Sequence, residues 1–179
     1  RFVYSQLWSV DFKHLIDCLE EKFGGKWYIC FRVHPQLAAG FSDYENDEIA
    51  DRILNESQAD DLYEIMAAMD AYMTDYSSAC FEAAFAKMPV FIYADDIEKY
   101  ERDRGSLYWN MTTDSLDKVT ANQEMFPGED WAFPFSIATN NDDLEHDVLH
   151  FDQKKYEDRL EEFFGKIGLV FDGNASENV

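Results

Sequence analysis

The chain lacks several things that would fix its class at once. No apolar run approaches the roughly 20 residues needed to cross a bilayer, and no signal-peptide pattern opens the sequence. No linker rich in Pro, Gly or Ser, no repeat and no low-complexity tract divides its 179 residues. One α/β domain with its own core is therefore expected over residues 1–179. Basic residues are scarce: 15 Lys and Arg stand against 37 Asp and Glu, a formal net charge of −22. Phosphate backbones and anionic lipid surfaces recruit Lys and Arg, so neither nucleic acid nor direct membrane contact is expected of this piece. Any bound phosphate must be held locally, by backbone amides and a few placed side chains.

Cysteine is equally sparse. Cys18, Cys30 and Cys80 are odd in number and too scattered for a zinc knuckle or a Cys-x-x-Cys redox pair, which suits a reducing cytosol. Each sits in apolar surroundings, where a free thiol packs as a small hydrophobe. Also missing are the Walker loop, Gly-x-Gly-x-x-Gly, Gly-x-Ser-x-Gly and His-Glu-x-x-His, which removes the commonest nucleotide and hydrolase patterns. His146 and His150 share a helix face at a spacing zinc can use, but Asp147 completes no recognised motif and a surface helix is the reading adopted.

What is present alternates between helix and strand. Asp11 caps an amphipathic helix with Phe12, Leu15, Ile16, Leu19 and Phe23 on one face, stopped by Gly24-Gly25. Trp27 to Val33 reads as a strand covered on both faces and ends at His34-Pro35, since proline forbids continuation of the ladder. A short strand is read around Ile53-Leu54. Asp60 then caps a helix with Leu62, Ile65, Met66 and Met69 inward. Ala71 to Thr74 and Val90 to Tyr93 are further strands, separated by a helix from Ser78 to about Lys87. This order predicts a Rossmann-like parallel sheet with helices on both faces. Residues 95–136 read as a long irregular stretch ordered by aromatics, followed by helices from Asn141 or Asp142 and from Phe151 to Phe164, the last ended by Gly165 and Gly168.

The stretch Ala71 to Glu82 organises the rest. A buried strand there enters a polar turn and then a helix, whose first N–H groups lack partners within the helix and face the positive end of its dipole. A phosphate would sit on Ser77 and Ser78; the same pair also serves simply as a helix cap. Glu82, one turn on, is placed to accept hydrogen bonds from a ribose diol. Arg32 with His34, the Asp75 to Ser78 turn, and Asp95-Asp96 all lie at strand carboxyl ends, so a parallel sheet would gather them at one cleft. An imidazole such as His34 can donate to a phosphate or move a proton near neutral pH. Asp95-Asp96 offer carboxylate oxygens of the kind Mg2+ takes, or cap the loop start.

Four segments together resemble the CDP-glycerol glycerophosphotransferase family, the teichoic-acid primases and polymerases. They are Phe31-Arg-Val-His-Pro35; Met73-Thr-Asp-Tyr-Ser-Ser-Ala-Cys-Phe-Glu82; Lys87-Met-Pro-Val-Phe-Ile-Tyr-Ala-Asp-Asp96 with Tyr100 and Arg104-Gly105; and Asp172-Gly-Asn-Ala-Ser176. The resemblance implies a GT-B-like enzyme of two Rossmann-like halves, with this chain as the C-terminal, nucleotide-binding half. It implies that His34 is catalytic or phosphate-stabilising, that Arg32 and Val33 lie beside the donor, that Ser77 and Ser78 hold the pyrophosphate, and that Glu82 holds ribose or glycerol hydroxyls. Glu82 stands where aspartate is common in the family, which keeps the carboxylate but lengthens it. The implied reaction moves glycerol phosphate from CDP-glycerol, or a related CDP-alditol, to an acceptor hydroxyl with release of CMP. The polymer acceptor would bind through another half, and the location implied is cytoplasmic, with the longer protein peripheral at the inner face of the membrane. A start at Arg1 without methionine and a helix-like opening at Ser176 to Val179 are what a piece of a longer protein would show. Two other readings stay open: a GT-B glycosyltransferase half that takes a nucleotide sugar, and a non-catalytic acidic interaction module.

Overall fold

A computed structural model describes residues 9–32, 48–111 and 119–169. The first helix, α1 (Phe12–Phe23), follows from its punctuation and its stripe. The Asp11 carboxylate accepts the His14 backbone N–H at 3.0 Å, and Gly24 closes the helix at φ 72°, a conformation that favours glycine. Phe12, Leu15, Ile16, Cys18 and Leu19 are its buried face. Strand β1 (Ile29–Phe31) pairs in parallel with β2 (Ile53–Asn55), Cys30 lying opposite Leu54. The expected strand from Trp27 to Val33 is shorter and only half-buried among the described residues. Val33 and His34 lie outside them.

Helix α2 (Leu62–Ala67) is capped by Asp61, whose carboxylate takes the Tyr63 N–H at 2.7 Å, and not by Asp60 as the sequence suggests. The second sheet has the order β3 (Tyr72–Thr74), β4 (Val90–Tyr93), β5 (Ser136–Ala138), all parallel. Every residue of β4 is buried, as the central strand of a covered sheet should be. Between β3 and β4 runs α3 (Ala79–Phe85), with Cys80, Ala83 and Ala84 inward. Parallel sheets flanked by helices match the expected class; among the described residues they form ladders of two and three strands.

Two elements were missed. Helix α4 (Ile97–Arg104) lies in the stretch expected to be irregular, and β5 lies at its end. The remainder of that stretch is held by antiparallel bridges, Trp109 with Ala121 and Thr120 with Ala132. Trp109 and Phe133 pack around Phe81 of α3 in tilted and edge-to-face contacts, so aromatic packing does order it. Helices α5 (Asn141–Leu149) and α6 (Gln153–Lys166) are capped by Asn140 and Asp152 through N–H bonds from Asp143 and Lys155. Gly165 does not end α6. It sits inside the last turn, where an added Cβ would meet nothing within 4 Å.

Candidate functional site

Because β3, β4 and β5 run in parallel, the turns that follow them share one edge. After Thr74 the chain exposes Asp75, half-buries Tyr76, then exposes Ser77 and Ser78 before α3 begins. Ser78 is the residue before the helix, yet its hydroxyl makes no capping bond. That role passes to Ser77, whose Oγ accepts the Ala79 N–H at 3.3 Å. The N–H groups of Cys80 and Phe81 bond the carbonyls of Ser77 and Ser78 at 3.3 and 3.0 Å. Among the described residues, the N–H groups of Ser77 and Ser78 have no partner. A solvent-facing turn with two open amides and an uncommitted hydroxyl is what an anion needs. Glu82 is exposed one turn later, on the helix side opposite Cys80, Ala83 and Ala84.

The turn is tied to its neighbour after β4. Tyr76 donates its hydroxyl to Asp96 Oδ1 at 2.7 Å, and its ring lies 3.9 Å from that of Tyr100 on α4. Burial, then the bond to the Asp96 carboxylate, raises the phenol above its ordinary range, so it remains a donor throughout the physiological pH range. The sequence offers Asp96 as a Mg2+ ligand or a cap at the loop start and Tyr100 only as part of a pattern; their link through Tyr76 has no spacing signal. Replacing Tyr76 by Phe is expected to cost about 1–3 kcal/mol in urea unfolding, by leaving a half-buried carboxylate unpaired, and to weaken donor binding several-fold by loosening the turn. Full donor affinity in a destabilised Tyr76→Phe chain would show the two turns to be independent.

Arg32 closes β1. Its guanidinium donates to the Ala59 carbonyl at 2.9 Å, while its Nε is buried without a hydrogen-bond partner. Burial pushes the Tyr72 phenol up; a hydrogen bond with Thr74 and, more weakly, the Arg32 charge pull it back. Among the described residues no ladder joins the two sheets. The structure thus ties the Ser77–Ser78 turn to Asp96 through Tyr76, while Arg32 is held at the Ala59 carbonyl. Val33 and His34 are outside the described residues. An open cavity of about 470 Å³ lies elsewhere, lined by Tyr63, Met66, Met69, Asp70, Ala86 and Met88. These residues precede β3 and β4, so the cavity is at the amino edge, opposite the edge where such sheets take ligands.

Helices on parallel strands, with an exposed turn at the carboxyl edge, give a Rossmann-like α/β layer of the GT-B-like class. Solved structures of the wall teichoic acid polymerase TagF share this fold: one superposes at a TM-score of 0.59 with 25% identity, covering 91% of this chain and 35% of that one. The chain belongs to the CDP-Glycerol:Poly(glycerophosphate) glycerophosphotransferase family, whose model matches residues 2–179. It is 27% identical over its whole length to a teichoic acid poly(glycerol phosphate) polymerase of Staphylococcus epidermidis, covering 22% of that protein. It is 28% identical to a teichoic acid ribitol-phosphate primase of Bacillus spizizenii, covering 95% of this chain and 37% of that protein. The chain thus spans well under half the length of these relatives.

Proposed function

We propose that this chain is the donor-binding half of an enzyme that transfers glycerol phosphate from CDP-glycerol to an acceptor hydroxyl in teichoic-acid-like polymer synthesis. The observation that carries the reading is the exposed Ser77–Ser78 turn, with open amides at the carboxyl edge of a parallel sheet in a chain of this family. The acceptor oxygen forms a bond to the phosphorus next to glycerol, the bond from that phosphorus to the bridging oxygen breaks, and CMP leaves with the electron pair. The acceptor proton passes to a base, for which His34 is the candidate through the family resemblance. Such phosphoryl transfer needs positioning and charge stabilisation more than covalent help. The Ser77 and Ser78 amides and hydroxyls, with Arg32, are groups of that kind. Val33 would line the donor beside them, and Glu82 would take the hydroxyls of ribose or glycerol.

The acceptor is proposed to bind through a part of the longer protein outside these 179 residues. No helix among the described residues is long and apolar enough to cross a membrane, and the acidic surface gives anionic lipid nothing to hold. We place the activity on the cytoplasmic side, with any membrane contact made by another segment. Mg2+ belongs to the same proposal. Asp95 is exposed and Asp96 half-buried beside it, and one or two carboxylates with substrate phosphates form the usual Mg2+ environment. The test is a thermal-shift panel of CDP-glycerol, CDP-ribitol, CMP and UDP-sugars, with and without Mg2+. A ligand at a hundredfold excess over its Kd adds about 2.7 kcal/mol, a shift of several degrees. Cytidine ligands should give it. A shift with UDP-sugars alone would favour a glycosyltransferase, and no shift with any nucleotide an interaction module.

A further inference from the structure

We propose that His14, Cys18 and Glu145 form a binding site for a divalent transition-metal ion of the zinc type, which clamps α1 to α5. Zinc spacing in the sequence drew attention to His146 and His150, whose rings stack at 4.2 Å while His150 Nδ1 meets the His146 carbonyl. The pair that gathers a third ligand is a different one. His14 and Cys18 are four apart on α1, so they share a face, and Glu145 reaches them from α5, 131 positions from His14. One ligand atom from each lies within 4.8 Å of the others.

Two of the three ligand separations are close to what a tetrahedral ion requires. His14 Nε2 lies 2.8 Å from Glu145 Oε2 and 3.7 Å from Cys18 Sγ. Zinc bonds of about 2.3 Å to sulfur and 2.0–2.1 Å to nitrogen and oxygen put sulfur about 3.5 Å from nitrogen, and nitrogen about 3.3 Å from oxygen, along the tetrahedral edges. The thiol is already near that distance. The carboxylate need withdraw only about half an ångström. One ring nitrogen, His14 Nε2, thus faces both a carboxylate oxygen and a thiol sulfur, the donor set that zinc-type ions take.

The support is rigid and the field is favourable. The two helices are pinned at both ends: the Asp11 N–H donates to Asn141 Oδ1 at 2.9 Å, and Lys22 Nζ to the Leu149 carbonyl at 3.0 Å. Cys18 is buried, whereas His14 and Glu145 are 46% and 39% exposed, so an ion can enter from solvent and keep a water as its fourth ligand. Asp11 and Asp17 act electrostatically on His14, and Glu21 and Asp17 on Cys18. A cation therefore enters negative potential. Sulfur and imidazole nitrogen select zinc-type ions over Mg2+. On coordination the Cys18 thiol proton, and the imidazole proton where His14 is charged, pass to solvent.

The experiment is a cobalt titration of the full chain, reduced and metal-free. One equivalent of Co2+ should produce a thiolate-to-cobalt charge-transfer band in the near ultraviolet, together with the visible bands of tetrahedral cobalt, and Zn2+ should abolish both. Cys30→Ser should leave the spectrum unchanged and Cys18→Ser should remove the thiolate band. Because Cys18 is buried, a serine there also tests folding. Glu145→Gln lies on the exposed rim and retains a hydrogen-bonding partner for His14, and it should lower cobalt affinity about tenfold or more. Saturating Zn2+, but not Mg2+, should raise the melting temperature by on the order of 5 °C. Absence of the charge-transfer band in the unsubstituted chain, its survival in Cys18→Ser, or an unchanged affinity in Glu145→Gln would overturn the site.

Discussion

Replacing both Ser77 and Ser78 by alanine is expected to lower CDP-glycerol affinity by about 10- to 100-fold while leaving the chain folded. Each hydroxyl bonded to a charged phosphate oxygen contributes about 1.5–3 kcal/mol. Water can take the place of each lost hydroxyl at the phosphate, which keeps the loss below the sum for two such bonds. The two serines are not equivalent. Ser77 Oγ already caps α3 through Ala79, so Ser77→Ala alone should also cost about 1 kcal/mol of stability. Ser78 makes no capping bond, so Ser78→Ala should affect binding with almost no change in melting temperature. Isothermal calorimetry on the single and double variants separates the effects. Unaltered affinity in the double variant would reduce the turn to a helix start and move the donor phosphates to another part of the chain.

The parts of this fold that could be read from sequence are those where one signal dominates. In α1 a capping aspartate, a continuous apolar stripe and a glycine stop agree, and its bounds follow. In β4 four apolar residues after Pro89 leave little alternative to a covered strand. Helix α4 escaped because Ile97 is its only buried residue and the others are mostly charged, so there is no apolar period to detect. Strand β5 is three residues long and becomes a strand only through pairing with β4, a partner more than forty positions away. The apolar run from Trp27 promised a fully covered strand, but β1 is half-buried because it pairs with β2 in a separate ladder.

The same distinction runs through the site. The positions of Ser77, Ser78 and Glu82, on a turn and on the helix after it, were legible because a strand, a turn and a helix start follow one another directly in the chain. Which hydroxyl caps the helix was not, since adjacent serines compete for the same N–H groups and the turn's backbone angles decide. The Tyr76–Asp96 bond and the His14–Cys18–Glu145 cluster join residues 20 and more than 100 positions apart. Such pairings are created by the crossover connections of a parallel fold, and no local period encodes them.

His34→Ala should reduce turnover by about 10²- to 10⁴-fold in the full-length protein, the range typical of a positioned acid or base. The residue lies outside the described structure, so the expectation rests on its place in Phe31-Arg-Val-His-Pro35, a segment whose first residue, Phe31, ends β1. The division between kcat and KM distinguishes its two candidate roles. A base that takes the acceptor proton acts only as the new bond forms, so kcat should fall while donor affinity, measured by calorimetry, is retained. A donor to the phosphate in the ground state would weaken CDP-glycerol and CMP binding by a comparable factor, and kcat would suffer less. His34→Gln retains hydrogen-bonding capacity without an ionisable ring. It should remain as impaired as alanine if His34 moves a proton, and recover most of the activity if it only holds a phosphate oxygen. Turnover unchanged in both variants would remove His34 from the chemistry, and with it the strongest reason for regarding the edge beside Ser77 and Ser78 as catalytic as well as binding.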